Sequence, residues 1–258
     1  MGVYTIAGGK GGVGKSTTTA SLGVALHDAG FDVVLVDADL ALPNLAEVLG
    51  EPNESGIHSV LAGEAAVDDV LRAVADGPDL IAGGQTIEHF EQADPANLRA
   101  VIDPLDDEYD VVLVDTGAGL SHEALVATGL ADGTVLVTTP QEAAVDNVAK
   151  TAEFVDHAEA TVLGAVVTRT TADTDLGDIA GRLGVPLLGA VPEDAAVDAA
   201  PATTGAAGDA YRSLASTLAT CHDGWEDGEE GAVDAPASVA LDAPQRRGPT
   251  GTESVSAD

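Results

Sequence analysis

A chain of 258 residues can bury the core of one large domain, and with aromatics at only 3% that core has to rest on Val, Leu, Ile and Ala. Its 10 Lys plus Arg face 44 Asp plus Glu, and the formal charge of −34 is spread along the length, which fits a surface adapted to high salt better than an acidic tail for a basic partner. The single cysteine, Cys221, excludes an internal disulfide framework and a Cys-x-x-Cys metal or redox site, and the six histidines show no ligand spacing.

The first apolar run, Val3-Tyr4-Thr5-Ile6-Ala7, reads as a buried strand. It starts so early that no room is left for a leader, and no apolar run reaches the roughly 18 residues of a membrane span, so a cytoplasmic location is expected. Residues 8–19 follow, and then a helical pattern of Ala20, Leu22, Val24, Ala25 and Leu26. Strand, glycine-rich loop and helix is the context that a phosphate-binding loop needs, and Gly9 to Ser16 satisfies G-x-x-x-x-G-K-[ST]. The glycines let backbone N–H groups approach phosphate oxygens, and the helix aims its positive end at the same anion. Lys15 is placed to reach the β- and γ-phosphates and the Ser16 hydroxyl to bind Mg²⁺. The expected cradle comprises Gly9, Lys10, Gly11, Gly12, Val13, Gly14, Lys15, Ser16 and Thr17.

Val33-Val34-Leu35-Val36 is a second buried strand, and it ends in Asp37-Ala38-Asp39. An α/β sheet puts its chemistry at the carboxyl ends of its strands, which is where these acids fall. Beyond residue 45 come a helical pattern, a turn at His58–Leu61, a helix around Ala65 to Ala75, a weak strand at Asp79–Ala82 and a helix near Pro95 to Leu105. Pro95 suits a first helical turn. Tyr109–Asp115 is a strand closed by an acid, the pattern in which the acid completes a Mg²⁺ environment. It runs into Thr116-Gly117-Ala118-Gly119. Further strands are expected at Val135–Thr138, Val162–Val167 and Pro186–Val191, alternating with helices at Gln141–His157, Leu176–Leu183 and Ala206–Thr220. The alternation predicts an α/β fold with a mostly parallel sheet covered by helices on both faces. It also predicts one domain over residues 1–221. Residues 222–258 carry no periodicity and read as an acidic disordered tail.

Lys10 exceeds the generic loop pattern. The run Lys10-Gly11-Gly12-Val13-Gly14-Lys15-Ser16 resembles the deviant Walker A motif of the MinD/ParA family of P-loop ATPases, whose extra lysine reaches across a dimer interface to the partner's phosphates. Asp37 to Asn44 resembles the D-x-D-x-x-x-x-N of that family's switch I. The match implies that Asp39 orients the attacking water, that Asp37 and Asp115 help to hold the Mg²⁺ shell with Ser16, and that Asn44 moves with them. Residues 115–119 resemble the family's D-T-P-A-G with Gly117 in place of proline, which loosens the loop, and Gly119 fits the glycine whose N–H senses the γ-phosphate. Thr168-Arg169 stands where the family commonly has Asn-Arg, so a hydroxyl replaces the amide that reads adenine. Pro192-Glu193-Asp194 resembles a loop bordering the adenine.

The resemblance spans about residues 1–220. It implies a slow Mg²⁺-dependent ATPase that forms a homodimer when ATP-bound, with catalytic roles for Lys10, Lys15 and Asp39. Its output would be the positioning of a division site, a polar assembly or a plasmid, through a localising or activating protein partner. Guanine is disfavoured, because Thr168-Arg169-Thr170-Thr171 lacks the [NT]-K-x-D of related GTPases. An iron–sulfur carrier built on the same fold needs paired cysteines. A non-hydrolysing scaffold is opposed by the intact loop and Asp39. The tail offers only Arg246-Arg247 between prolines, with no apolar stripe to lie on a membrane, and the remaining basic residues are too scattered for DNA phosphates.

Overall fold

The structure is a computed structural model that describes residues 2–53, 56–84, 91–119, 121–194 and 200–226, with side chains to residue 220. Eight strands form one sheet: β1 (Gly2–Ala7), β2 (Val33–Ala38), β3 (Leu71–Arg72), β4 (Asp79–Ile81), β5 (Val111–Thr116), β6 (Gly133–Thr138), β7 (Val162–Thr170) and β8 (Leu187–Pro192). Their order is β3-β4-β2-β5-β1-β6-β7-β8, and every pair is parallel except the edge pair β3–β4. Among the described residues the helices include α1 (Lys15–Asp28), α2 (Leu45–Leu49), α3 (Ile57–Leu61), α4 (Val67–Val70), α5 (Leu98–Glu108), α6 (His122–Leu130), α7 (Glu142–His157), α8 (Leu176–Leu183) and α9 (Gly205–Glu226).

Why the central strands are continuous apolar runs is visible in the core. Successive side chains of a strand point to opposite faces. Leu35 and Leu113 pack with Leu22 and Leu26 of α1 and with Tyr211 and Leu214 of α9. Their neighbours Val36 and Val114 pack on the other face with Ile57, Val101, Ile102 and Leu105. On that face β6 and β7 are covered by Val145 and Val148 of α7 and by Ile179 and Leu183 of α8. A sheet buried on both sides needs apolar residues at consecutive positions, as parallel sheets do.

The chain returns to β1 from both directions. Its neighbours β5 and β6 lie on opposite sides, so the loop after β1 opens at the point where strand order reverses. Two expectations are corrected. The stretch around Ala65 to Ala75 is not one helix: α4 ends at Val70, and Leu71–Arg72 turns into an antiparallel edge strand against β4. Asp68 and Asp69 occupy the first turn of α4, and its C-cap Leu71 is already extended. The last helix runs to Glu226 and not to Thr220. From residue 227 onward the expected tail lies outside the described residues. The Pro95 expectation holds in a modified form. Asp94 accepts from Ala96 N–H at 3.0 Å and starts a 3-10 turn at Pro95–Asn97, from which α5 continues.

Candidate nucleotide and metal site

The loop between β1 and α1 is held from several sides. Gly9 lies so close to α7 that a Cβ there would meet backbone and side-chain atoms of Asn147 at 2.8 Å. Gly14 is the N-cap of α1 and has φ 92, a left-handed conformation that costs other residues strain. No side chain caps α1, so its first N–H groups remain available to an anion. Lys15 is 8% exposed and stands beside Asp115, while Lys10 is exposed at the outer edge of the same loop. Ser16 and Thr17, in the first turn of α1, are half-buried.

Below the loop, Asp37 and Asp115 are register partners on the adjacent parallel strands β2 and β5, and both are fully buried. Burial pushes the Asp37 carboxyl well above its ordinary value, and the neighbouring Asp115 pushes it further. Burial likewise raises Asp115, to about 6, although Ser16, Lys15 and Thr19 pull it back down. Thr19 Oγ1 donates to Asp115 Oδ1 at 3.1 Å, and Asp115 Oδ2 has no hydrogen-bond partner among the described residues. Two buried acids side by side, one with an orphaned oxygen, are costly unless a cation joins them. The residues therefore fit a divalent metal bound with Ser16, Asp115 and Asp37.

This arrangement sets a pH dependence. Asp115 titrates higher folded than the ordinary 3.8, so the folded state binds the extra proton between those values. Without metal, stability should rise as pH falls from above 6 toward 4, by about 1–3 kcal/mol. Thermal melts in chelator at molar salt should show that rise, and Asp115→Asn should reduce it without abolishing it, because burial still holds the Asp37 carboxyl above its ordinary value. A wild-type melting temperature that increases with pH over this window would contradict the assignment.

Asp37 does a second job. Its Oδ1 accepts from Asp39 N–H at 3.2 Å and its Oδ2 from Leu45 N–H at 3.0 Å, so it shapes the segment after β2 and starts α2. Asp39, half-buried, accepts from Leu42 N–H at 3.1 Å. Asn44 is the exposed N-cap of α2 and makes no side-chain cap bond. After β5, Gly117 occupies a tight spot. A Cβ there would lie 3.3 Å from both Asp39 Oδ1 and Glu123 Oε1. The expectation that glycine loosens this loop is thus only part of its effect, since it also leaves room for two carboxylates. Gly119 N–H donates to Gly8 O at 2.9 Å and ties the segment after β5 to the start of the phosphate loop.

The two segments expected to border the base meet at the ends of β7 and β8, where Glu193 N–H donates to Thr170 O at 2.9 Å. Arg169, Glu193 and Asp194 are exposed, and Pro192 is half-buried. Arg169 has φ 54, unusual for a residue with a side chain. Thr168 is not with them. It is 5% exposed and its hydroxyl faces the phosphate loop. The sequence reading missed Thr19 as a support of Asp115. It also missed Tyr211 of α9, whose hydroxyl lies 3.1 Å from Thr18 Oγ1 on α1. The spacing of Ser16 and Thr19 on one helical face could have suggested the first. Nothing local could have suggested the second, which joins residues 193 positions apart.

Comparison with known proteins agrees with this geometry. A profile described as the CobQ/CobB/MinD/ParA nucleotide binding domain matches residues 4–205. An uncharacterized ATP-binding protein of Methanocaldococcus jannaschii is 35% identical over 193 residues, which is 73% of each chain. The septum site-determining protein MinD of Synechocystis is 31% identical over 202 residues, covering 74% of this chain and 76% of the other. Among solved structures, the septum site-determining protein MinD of Pyrococcus horikoshii, complexed with Mg-ADP, superposes with a TM-score of 0.79 at 31% identity. That match covers 85% of this chain and 96% of the other.

Proposed function

The chain belongs to the CobQ/CobB/MinD/ParA nucleotide-binding family, and from that premise we propose that it is a Mg²⁺-dependent ATPase whose ATP-bound form is a homodimer. The observation that carries the reading is the buried Asp37–Asp115 pair directly beneath a phosphate loop that holds Lys15. Such a pair calls for a cation, and the loop above it offers uncapped N–H groups and an ammonium for polyphosphate oxygens.

In this mechanism the backbone N–H groups of residues 9–17 and the Lys15 ammonium bind the phosphates and withdraw charge from them. Mg²⁺, when bound at Ser16, Asp37 and Asp115, would neutralise further phosphate charge. Asp39 orients a water for in-line attack. Lys10, on the exposed rim, completes the site of the partner copy. Catalysis is then mostly positioning and electrostatic stabilisation. A site that lacks its trans lysine until a partner arrives hydrolyses slowly, as a switch does. By likeness to the MinD relatives, the switch positions a cellular assembly through a localising or activating protein partner.

The test is phosphate release from ATP at molar salt. The expected result is slow, Mg²⁺-dependent turnover whose rate per subunit rises with protein concentration. Nucleotide binding without any release would leave a scaffold and refute the enzyme.

A further inference from the structure

The hydroxyl of Thr168 does something for which the family-like reading has no place. Thr168 ends the buried part of β7, is 5% exposed, and lies 155 positions along the chain from the phosphate loop that it touches. Its Oγ1 donates to Val13 O at 2.7 Å and is also 3.0 Å from Thr138 O at the end of β6. One hydroxyl has one proton, and the shorter contact is the one to Val13. The site a Cβ would take on Gly14 is 3.7 Å from both Thr168 Cγ2 and Oγ1, so the side chain also backs the next residue of the loop.

The consequence follows from peptide geometry. The carbonyl of residue 13 and the N–H of residue 14 share one planar trans peptide and point in opposite directions. Holding Val13 O toward β7 therefore turns Gly14 N–H away from β7. We propose that Thr168 is a positioning residue for the phosphate cradle, fixing the 13–14 peptide so that Gly14 N–H is presented to the nucleotide's phosphates, and that it does not read the base. This inference rests on the nucleotide-binding part of the proposed function and is independent of hydrolysis.

The variants are Thr168→Val, which keeps shape and loses the O–H, and Thr168→Ser, which keeps the O–H and loses a methyl. Binding of Mg·ADP is measured by calorimetry at molar salt, and Mg·pyrophosphate by competition against it, with melting temperatures recorded alongside. Thr168→Val should weaken both ligands about tenfold, equivalent to about 1.4 kcal/mol, and raise KM while kcat changes little. Thr168→Ser should bind within about threefold of wild type. Three results would overturn the proposal: Thr168→Val binding as tightly as wild type, a loss for ADP without a loss for pyrophosphate, or Thr168→Ser binding as poorly as Val. If the Val variant does not fold, the Ser variant still decides, because retained affinity supports the hydroxyl's role and lost affinity refutes it. Wild-type protein that binds Mg·ADP but never turns over ATP would refute the enzyme and leave this inference standing.

Discussion

Lys15→Ala should remove measurable Mg·ATP binding. Lys15 is 8% exposed as a residue, so its charge acts on the phosphates with little screening by water. A hydrogen bond to a charged group is worth about 1.5–3 kcal/mol net, and the loss of a cation facing two phosphates compounds it. An affinity loss of at least about a hundredfold is expected. The substitution also leaves Asp115 without its nearest cation, so the melting temperature of the metal-free protein should fall. Calorimetry at molar salt, with circular dichroism to verify folding, gives the answer. A folded Lys15→Ala protein that binds Mg·ATP like wild type would remove the phosphate loop from the account altogether.

The second large effect separates two roles that sit close together. Asp39 is assigned to water and Lys10 to the partner's phosphates. Asp39→Ala should therefore bind ATP and accumulate as an ATP-bound dimer, with turnover reduced by about a hundredfold or more. Lys10→Ala should bind nucleotide, stay monomeric and fail to hydrolyse. A charge supplied in trans contributes about 10³-fold or more to phosphoryl transfer in arginine-finger systems. Size-exclusion chromatography with ATP at molar salt reads both variants. A monomeric Asp39→Ala protein, or a Lys10→Ala protein that dimerises and turns over normally, would sink the paired-site mechanism while leaving nucleotide binding intact.

Much of this was legible in the sequence because the features that carry it are local. The phosphate loop is a run of adjacent residues with fixed chemistry. The buried strands announce themselves as apolar runs, and Asp37 and Asp115 mark the ends of two of them. What was not legible depends on which segments meet. Strand order placed Asp37 opposite Asp115, and no periodicity within either strand encodes that register. The second bonds of Asp37, to Asp39 and Leu45, needed the loop's path. The stretch near residue 70 misled because its helical composition continues past Val70, while pairing with β4 draws Leu71 and Arg72 into the sheet. Thr168 read as a weakened base contact when judged by its side-chain chemistry alone. Only its burial against Val13 shows where the hydroxyl is spent.

The bond from Gly119 N–H to Gly8 O gives the molecule a default setting. If that donor is the γ-phosphate sensor, a third phosphate must win it away from a carbonyl that already holds it, at a net cost of about 0.5–1.5 kcal/mol. A diphosphate can enter and leave without touching it. The ADP-loaded protein would then share its latch with the empty one, and the triphosphate form would be the excited partner of the cycle. Phosphate departure would let the latch fall shut on its own, so relaxation needs no separate trigger.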